Sequence, residues 1–267
     1  MHTVLSAHYA IMNMENITAI YYSATGNSKI SACTIAEGLS RNYAKMDITK
    51  CDALIERTDF NSDDMVIFSA PVYGGRIYEG AKAKFDKLRG NKTKCVVTVT
   101  YGNRNYDDAL LEMCDMLEAH GFIPIAAAAL VGQHTYGQIQ VGRPDENDKK
   151  ENMQFVDRIK AKLGDNEITS IKVSGNRPYK DGGKGGKFRP QINEACNQCG
   201  LCVKECPQNA IDKDCKTIGN DRCIACFRCI RICPSKAKTM DNVTEYQEFA
   251  GKFTQMLYAR RENEYFA

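Results

Sequence analysis

Two short runs concentrate the reactive side chains of this 267-residue chain: "CNQCGLCVKECP" from Cys196 to Pro207 and "CIACFRCIRICP" from Cys223 to Pro234. The second repeats the first 27 residues on, and an alanine three positions past each proline recurs as Ala210 and Ala237. Such self-similarity marks a duplicated unit. Three thiolates at successive x2 spacing wrap three corners of a cuboidal iron–sulfur cluster, and in two-cluster proteins the last cysteine of each run crosses to the other cluster. The spacing therefore assigns Cys196, Cys199, Cys202 and Cys233 to one [4Fe-4S] cluster, and Cys223, Cys226, Cys229 and Cys206 to the other. Structural zinc, the competing use of four thiolates, takes them as two C-x2-C pairs from separate knuckles, which is not this pattern. The proline after each crossing cysteine fixes φ and favours a turn. Gly200 permits positive φ in the first run, where the second has Phe227. Cys33, Cys51, Cys95, Cys114 and Cys215 fit no ligand spacing and read as ordinary thiols.

A different chemistry is written near the other end. "YYSATGNSK", residues 21–29, lies between the apolar run Ile17 to Tyr22 and a segment whose Ile30, Cys33, Ile35 and Leu39 suit a helix. Backbone N–H groups at a helix start point at an anion, and Ser23, Thr25, Asn27 and Ser28 add neutral donors. The G-x-x-x-x-G-K-[ST] spacing of a P-loop is absent.

The elements that must position this loop follow an alternating pattern. Strand-like runs at 64–75, 94–106 and 121–133 precede amphipathic segments, among them one with Leu110, Met113, Cys114 and Leu117 on one face. Pro144 and Asp145 open a last helix that buries Phe155, Val156, Ile159 and Leu163. With a weaker strand at Ala44 to Thr49, this predicts a doubly wound parallel sheet of five strands in βα alternation, an α/β fold. Ligands of such sheets sit beyond the carboxyl ends of the strands, where the loops 23–28, 70–76 and 100–106 converge.

Residues 190–240 resemble a bacterial ferredoxin with two [4Fe-4S] clusters, a small α+β domain, which implies one-electron transfer at low potential. Residues 14–165 resemble the flavodoxin family, which implies FMN. By that resemblance Ser23, Thr25, Gly26, Asn27 and Ser28 hold the phosphate, Pro71, Val72, Tyr73 and Gly74 flank one side of the isoalloxazine, and Tyr101, Gly102, Asn103 and Tyr106 flank the other. The chain departs from typical flavodoxins in having no Trp, in a short segment between residues 50 and 63 where a helix is expected, and in an insertion around "GQHTYGQIQVGRPD". His134, just past the fifth strand, is a candidate for moving protons at the flavin. Arg104 is a candidate for contacting flavin or an anionic substrate. Together "TGNS", "APVYGGRIYEGA", "TYGNRNYDDALLE" and the cysteine repeat resemble the EFR1-type flavodoxin–ferredoxin fusions of anaerobic bacteria.

The remaining stretches are read as a leader (1–13), a flexible basic Gly-rich linker (166–189) and a helical tail (241–267) in which Tyr246, Phe249, Phe253 and Leu257 share a face. The linker's "GGKGGK" is not a dinucleotide fingerprint. A formal net charge of +3 does not suggest nucleic acid, no apolar run reaches the ~18 residues of a membrane span, and eight clustered thiols suit a reducing cytosol. The expected function is an electron-transfer iron–sulfur flavoprotein, relaying single electrons between the clusters and FMN and exchanging them with a redox partner protein or a small acceptor. A flavin-dependent reductase of a small organic acceptor, and a flavin-free cluster sensor of iron or oxygen, are the alternatives.

Overall fold

The computed structural model describes residues 16–164 and 169–267; the leader lies outside them. Five parallel strands form the sheet: β1 (Asn16–Tyr21), β2 (Ala44–Asp47), β3 (Asp64–Tyr73), β4 (Thr93–Tyr101) and β5 (Phe122–Val131), in the order 2-1-3-4-5. That is the flavodoxin-like order, with its crevice where the path reverses between β1 and β3. The strands are apolar on both faces because helices cover both. Ile20, Val66, Phe68 and Val97 point into one core, while Ala19, Met65, Ile67 and Val96 point into the other. The helices are α1 (Asn27–Leu39), α2 (Glu79–Phe85), α3 (Ala109–Ala119) and α4 (Glu146–Leu163). Asp145 opens α4 with a capping box, accepting from the N–H groups of Asn147 and Asp148. The segment 51–58 contains no helix; the chain instead makes a two-residue strand, Asp59–Phe60, beside Arg89–Gly90.

Two stretches differ from their sequence reading. The Gly-rich linker is packed down rather than free. Asp108 accepts from the N–H groups of Asn176 and Lys180 at 2.8 Å, Gly183 N–H donates to Tyr73 O at 2.7 Å, and Gly186 N–H donates to Ile224 O at 3.3 Å. The close approach requires glycine: a Cβ on Gly182 would lie 2.7 Å from the Gly74 carbonyl oxygen. The tail is only partly helical. After the ferredoxin-like region, with β6 (Gln191–Ile192), α5 (Leu201–Lys204), α6 (Arg228–Arg231) and β7 (Lys238–Thr239), come helix α7 (Thr244–Met256) and a short strand β8 (Glu264–Phe266). β8 pairs antiparallel with β5 and caps the sheet's edge. It is fastened by the buried Arg143–Asp148 pair, with Arg143 also donating to Arg261 O at 2.7 Å, and by Val131 N–H donating to the Asn263 side chain at 2.8 Å. No helix among the described residues is long and apolar enough to cross a membrane.

Candidate functional site

A cavity of about 330 Å³ opens at the carboxyl ends of β1, β3, β4 and β5, within the ~300–1,000 Å³ of small-ligand sites. The turn after β1 reaches it through Ser23, Thr25, Asn27 and Ser28. Gly26, at φ 104°, is the N-cap of α1 and turns the chain into the helix, a backbone shape that only glycine adopts cheaply. The hydroxyls are held in place: Ser23 Oγ accepts from Lys29 N–H at 3.0 Å, and Ser28 Oγ lies 2.7 Å from Thr100 Oγ1. No acidic residue occupies the first turn of α1, so the positive end of its dipole is not offset from within the helix.

Pro71, Val72, Tyr73 and Gly74 form one wall, and Thr100, Tyr101 and Gly102 another. Gly102 must lack a Cβ, which would come within 2.0 Å of the His134 ring. His134 lines the cavity and accepts at Nδ1 from Tyr136 N–H at 2.8 Å. Burial pulls its pKa down to about 4, with the Arg231 and Arg104 charges adding to the effect and the Tyr136 carbonyl, 3.2 Å from Nδ1, opposing it. The ring is therefore neutral near pH 7.

Four expected residues do not line the cavity: Gly26, which turns the chain into α1, and Asn103, Tyr106 and Arg104. Asn103 is buried and donates to the carbonyls of Leu257 and Ala259 at 2.8 and 2.7 Å, holding the tail. Tyr106 donates to Glu264 Oε2 at 2.6 Å, and Arg104 is engaged by Asp107. For Asn103 and Tyr106 the reason is shared, since β8 and its approach cover their side of the 100–106 loop; the partner of Arg104 lies on its own loop. Sequence reasoning missed other lining residues. Gln133, Thr135 and Tyr136 come from the insertion after β5, Lys184 and Gly186 from the packed strap, and Ala225 from the second cysteine run. The insertion's departure from the usual flavodoxin pattern is the signal the sequence offers for them.

The two cysteine sets line two separate cavities. One is bordered by Cys206, Cys223, Cys226 and Cys229, the other by Cys196, Cys199, Cys202 and Cys233 with Cys215 beside them. Both groupings cross between the runs. In each repeat the alanine past the proline donates its N–H to the crossing sulfur, Ala210 to Cys206 at 3.3 Å and Ala237 to Cys233 at 3.2 Å. Gly200 and Phe227 occupy equivalent places and both adopt positive φ, 74° and 56°. Phe227 accepts a conformation that is costly for a bulky side chain, and it is buried among Phe188, Met240 and Tyr246.

The second cavity is joined to the sheet domain. Ile224 and Cys226 pack into the same core as Tyr22, Tyr73 and Tyr78, whose rings lie 5.0–5.1 Å apart in sequence Tyr73–Tyr78–Tyr22. Polar contacts fix the seam. Cys51 N–H donates to Pro207 O at 2.7 Å, Gln208 donates to the Tyr22 hydroxyl at 2.9 Å, and Arg228 bonds both Ala24 O at 3.0 Å and Glu205 at 2.5 Å.

Residues 190–212 and 220–244 each match a 4Fe-4S binding domain. No curated protein matches the chain. Among solved structures, a flavodoxin from the domain Archaea is 13% identical, with 56% of this chain and 99% of that one covered at a TM-score of 0.41. An apo NADH:FMN oxidoreductase is 15% identical (57% and 91% covered, TM-score 0.41), and a Streptococcus pneumoniae flavodoxin is 17% identical (55% and 98% covered, TM-score 0.37). By its own strand order and its matched motifs, the chain joins a flavodoxin-like sheet to a tandem 4Fe-4S binding unit in one polypeptide.

Proposed function

We propose that this protein is an electron-transfer iron–sulfur flavoprotein, with FMN in the cavity at the sheet edge and a [4Fe-4S] cluster in each cysteine-lined cavity. The observation that carries the reading is the position of Ala225. It lies between two cysteines of one set, Cys223 and Cys226, and lines the large cavity itself. When bound, the clusters would exchange single electrons, and the flavin one or two.

The residues present fit these groups. Ser23, Thr25, Asn27 and Ser28 with the α1 N-terminus offer neutral donors to a phosphate, and Lys184 adds a cation at the same cavity. Tyr73 and Tyr101 line the same cavity as flanks for a planar ring, and Gly102 and Gly186 let His134 and Tyr136 close onto it, since a Cβ on either would meet those side chains at 2.0 Å. The donor set of four thiols around each smaller cavity suits a cuboidal cluster. Burial of Cys226 and the seam at Arg228 exclude water between the second set and the sheet domain. This supports the order flavin, second set, first set, with the exposed Cys199 placing the first set toward solvent.

Anaerobic purification followed by iron, sulfide and flavin assays tests the composition. The reading expects about eight irons and one FMN per chain. Zinc in place of iron, or failure to bind FMN after reconstitution, would overturn it. Stepwise reduction then tests the relay: electrons introduced at the clusters should reach the flavin at a rate independent of protein concentration.

A further inference from the structure

The two cysteine runs are equivalent position by position, which makes one difference between them informative. Five residues past Cys206 stands Ile211; five past Cys233 stands Lys238. Ile211 lines the second cavity and Lys238 the first, and they are 5% and 3% exposed. A buried aliphatic at such a place is unremarked packing. A buried ammonium is not, and the Lys238 Nζ has no hydrogen-bond partner among the described residues. An unpaired buried charge costs several kcal/mol, on the order of what a whole domain has to spare.

We propose that Lys238 is the built-in counter-charge of the first cluster, its ammonium facing the cluster's sulfur cage and holding that cluster at a higher reduction potential than the second. Cubane clusters ligated by four thiolates are anions in both working oxidation states, and each added electron makes them more negative. A fixed cation lining the cavity of one of them therefore favours its reduced form, while Ile211 lines the other with no charge of its own. Lys238 lines the first cavity and not the second, although its charge also bears on Cys223 and Cys229 of the second set. The inference rests on the cysteine sets holding clusters, and it gives the relay a direction. Electrons settle on the outer, first cluster, from which a partner collects them.

Lys238→Met and Lys238→Arg in the full-length holoprotein test this, with Lys238→Gln as a smaller neutral change should the Met variant fail to fold. EPR-monitored titration gives the two potentials, the signal lost in Cys199→Ser identifying the first cluster. Removing the charge should shift the first cluster's reduction equilibrium at least tenfold toward the oxidised form, about 59 mV for one electron, with a smaller shift at the second and recovery in the Arg variant. Denaturation of the apoprotein supplies an independent readout, in which Lys238→Met should be at least as stable as the wild-type apoprotein. A reduction equilibrium that moves less than tenfold at the first cluster, or moves as much at the second, while both clusters persist would overturn the proposal. So would an apoprotein that loses stability on substitution, since Lys238 would then have a protein partner. Wild-type protein that takes up no iron and sulfide would instead defeat the reading of the cysteine sets.

Discussion

The same twelve-residue pattern occurs twice in this molecule in two different settings. Cys226, in the second run, is 9% exposed and shares a core with the sheet's aromatic residues, whereas its counterpart in the first run, Cys199, is exposed. The residue between the first two cysteines' partners differs in the same way: Ala225 reaches the large cavity, while Gln198 faces outward. Identical ligand spacing thus secures the same donor set, and the surroundings decide which set communicates with the flavodoxin-like domain and which meets solvent.

Breaking this comparison is most direct at the cysteines. Cys226→Ser should remove the inner cluster and loosen the seam, lowering flavin retention along with roughly half the iron, while Cys199→Ser should remove iron alone. Equal flavin content in the two variants would mean that the seam does not support the cavity. The next effect is on stability. Arg143→Ala removes the buried partner of Asp148, leaving it a longer Arg260 contact at 3.4 Å, and loosens the strand that caps β5, an expected loss of about 3 kcal/mol in denaturant unfolding, with both clusters still assembled. Gly102→Ala pushes on the His134 ring and should weaken FMN binding roughly tenfold without changing iron content. The smallest effect concerns pH. With a folded pKa of about 4 for His134, set mainly by burial, against ~6.5 unfolded, the unfolded chain binds more protons between those values. Stability should therefore decline as pH falls through that window and be unaffected by this residue above it. An imidazole NMR titration centred near 6.5 would contradict the buried, neutral ring.

Legibility in the sequence followed the length and regularity of the signal. The five strands and the cysteine crossings are carried by long apolar runs and a strict repeat, which leave few alternatives. The hydroxyls of the turn after β1 likewise lie where the strand–turn–helix pattern requires. The strand at 264–266 is three residues long and pairs with a partner more than 130 positions earlier, so no local periodicity announces it. That hidden pairing also explains why Asn103 and Tyr106, sound candidates from spacing alone, are occupied elsewhere. The strap's glycines have the composition of a flexible connector. Only the backbone contacts with Tyr73, Glu79 and Ile224 reveal that they are there to let two chains of backbone touch.

Because β8 returns to the sheet after the iron–sulfur region, that region is topologically an insert held at both of its ends, not a pendant module. The two redox units cannot drift apart on a tether, and a single cleavage in the strap would leave them still clasped through the far edge of the sheet. Evolution or an engineer wishing to separate the two activities would have to make two cuts, and the second would expose a raw strand edge inviting aggregation.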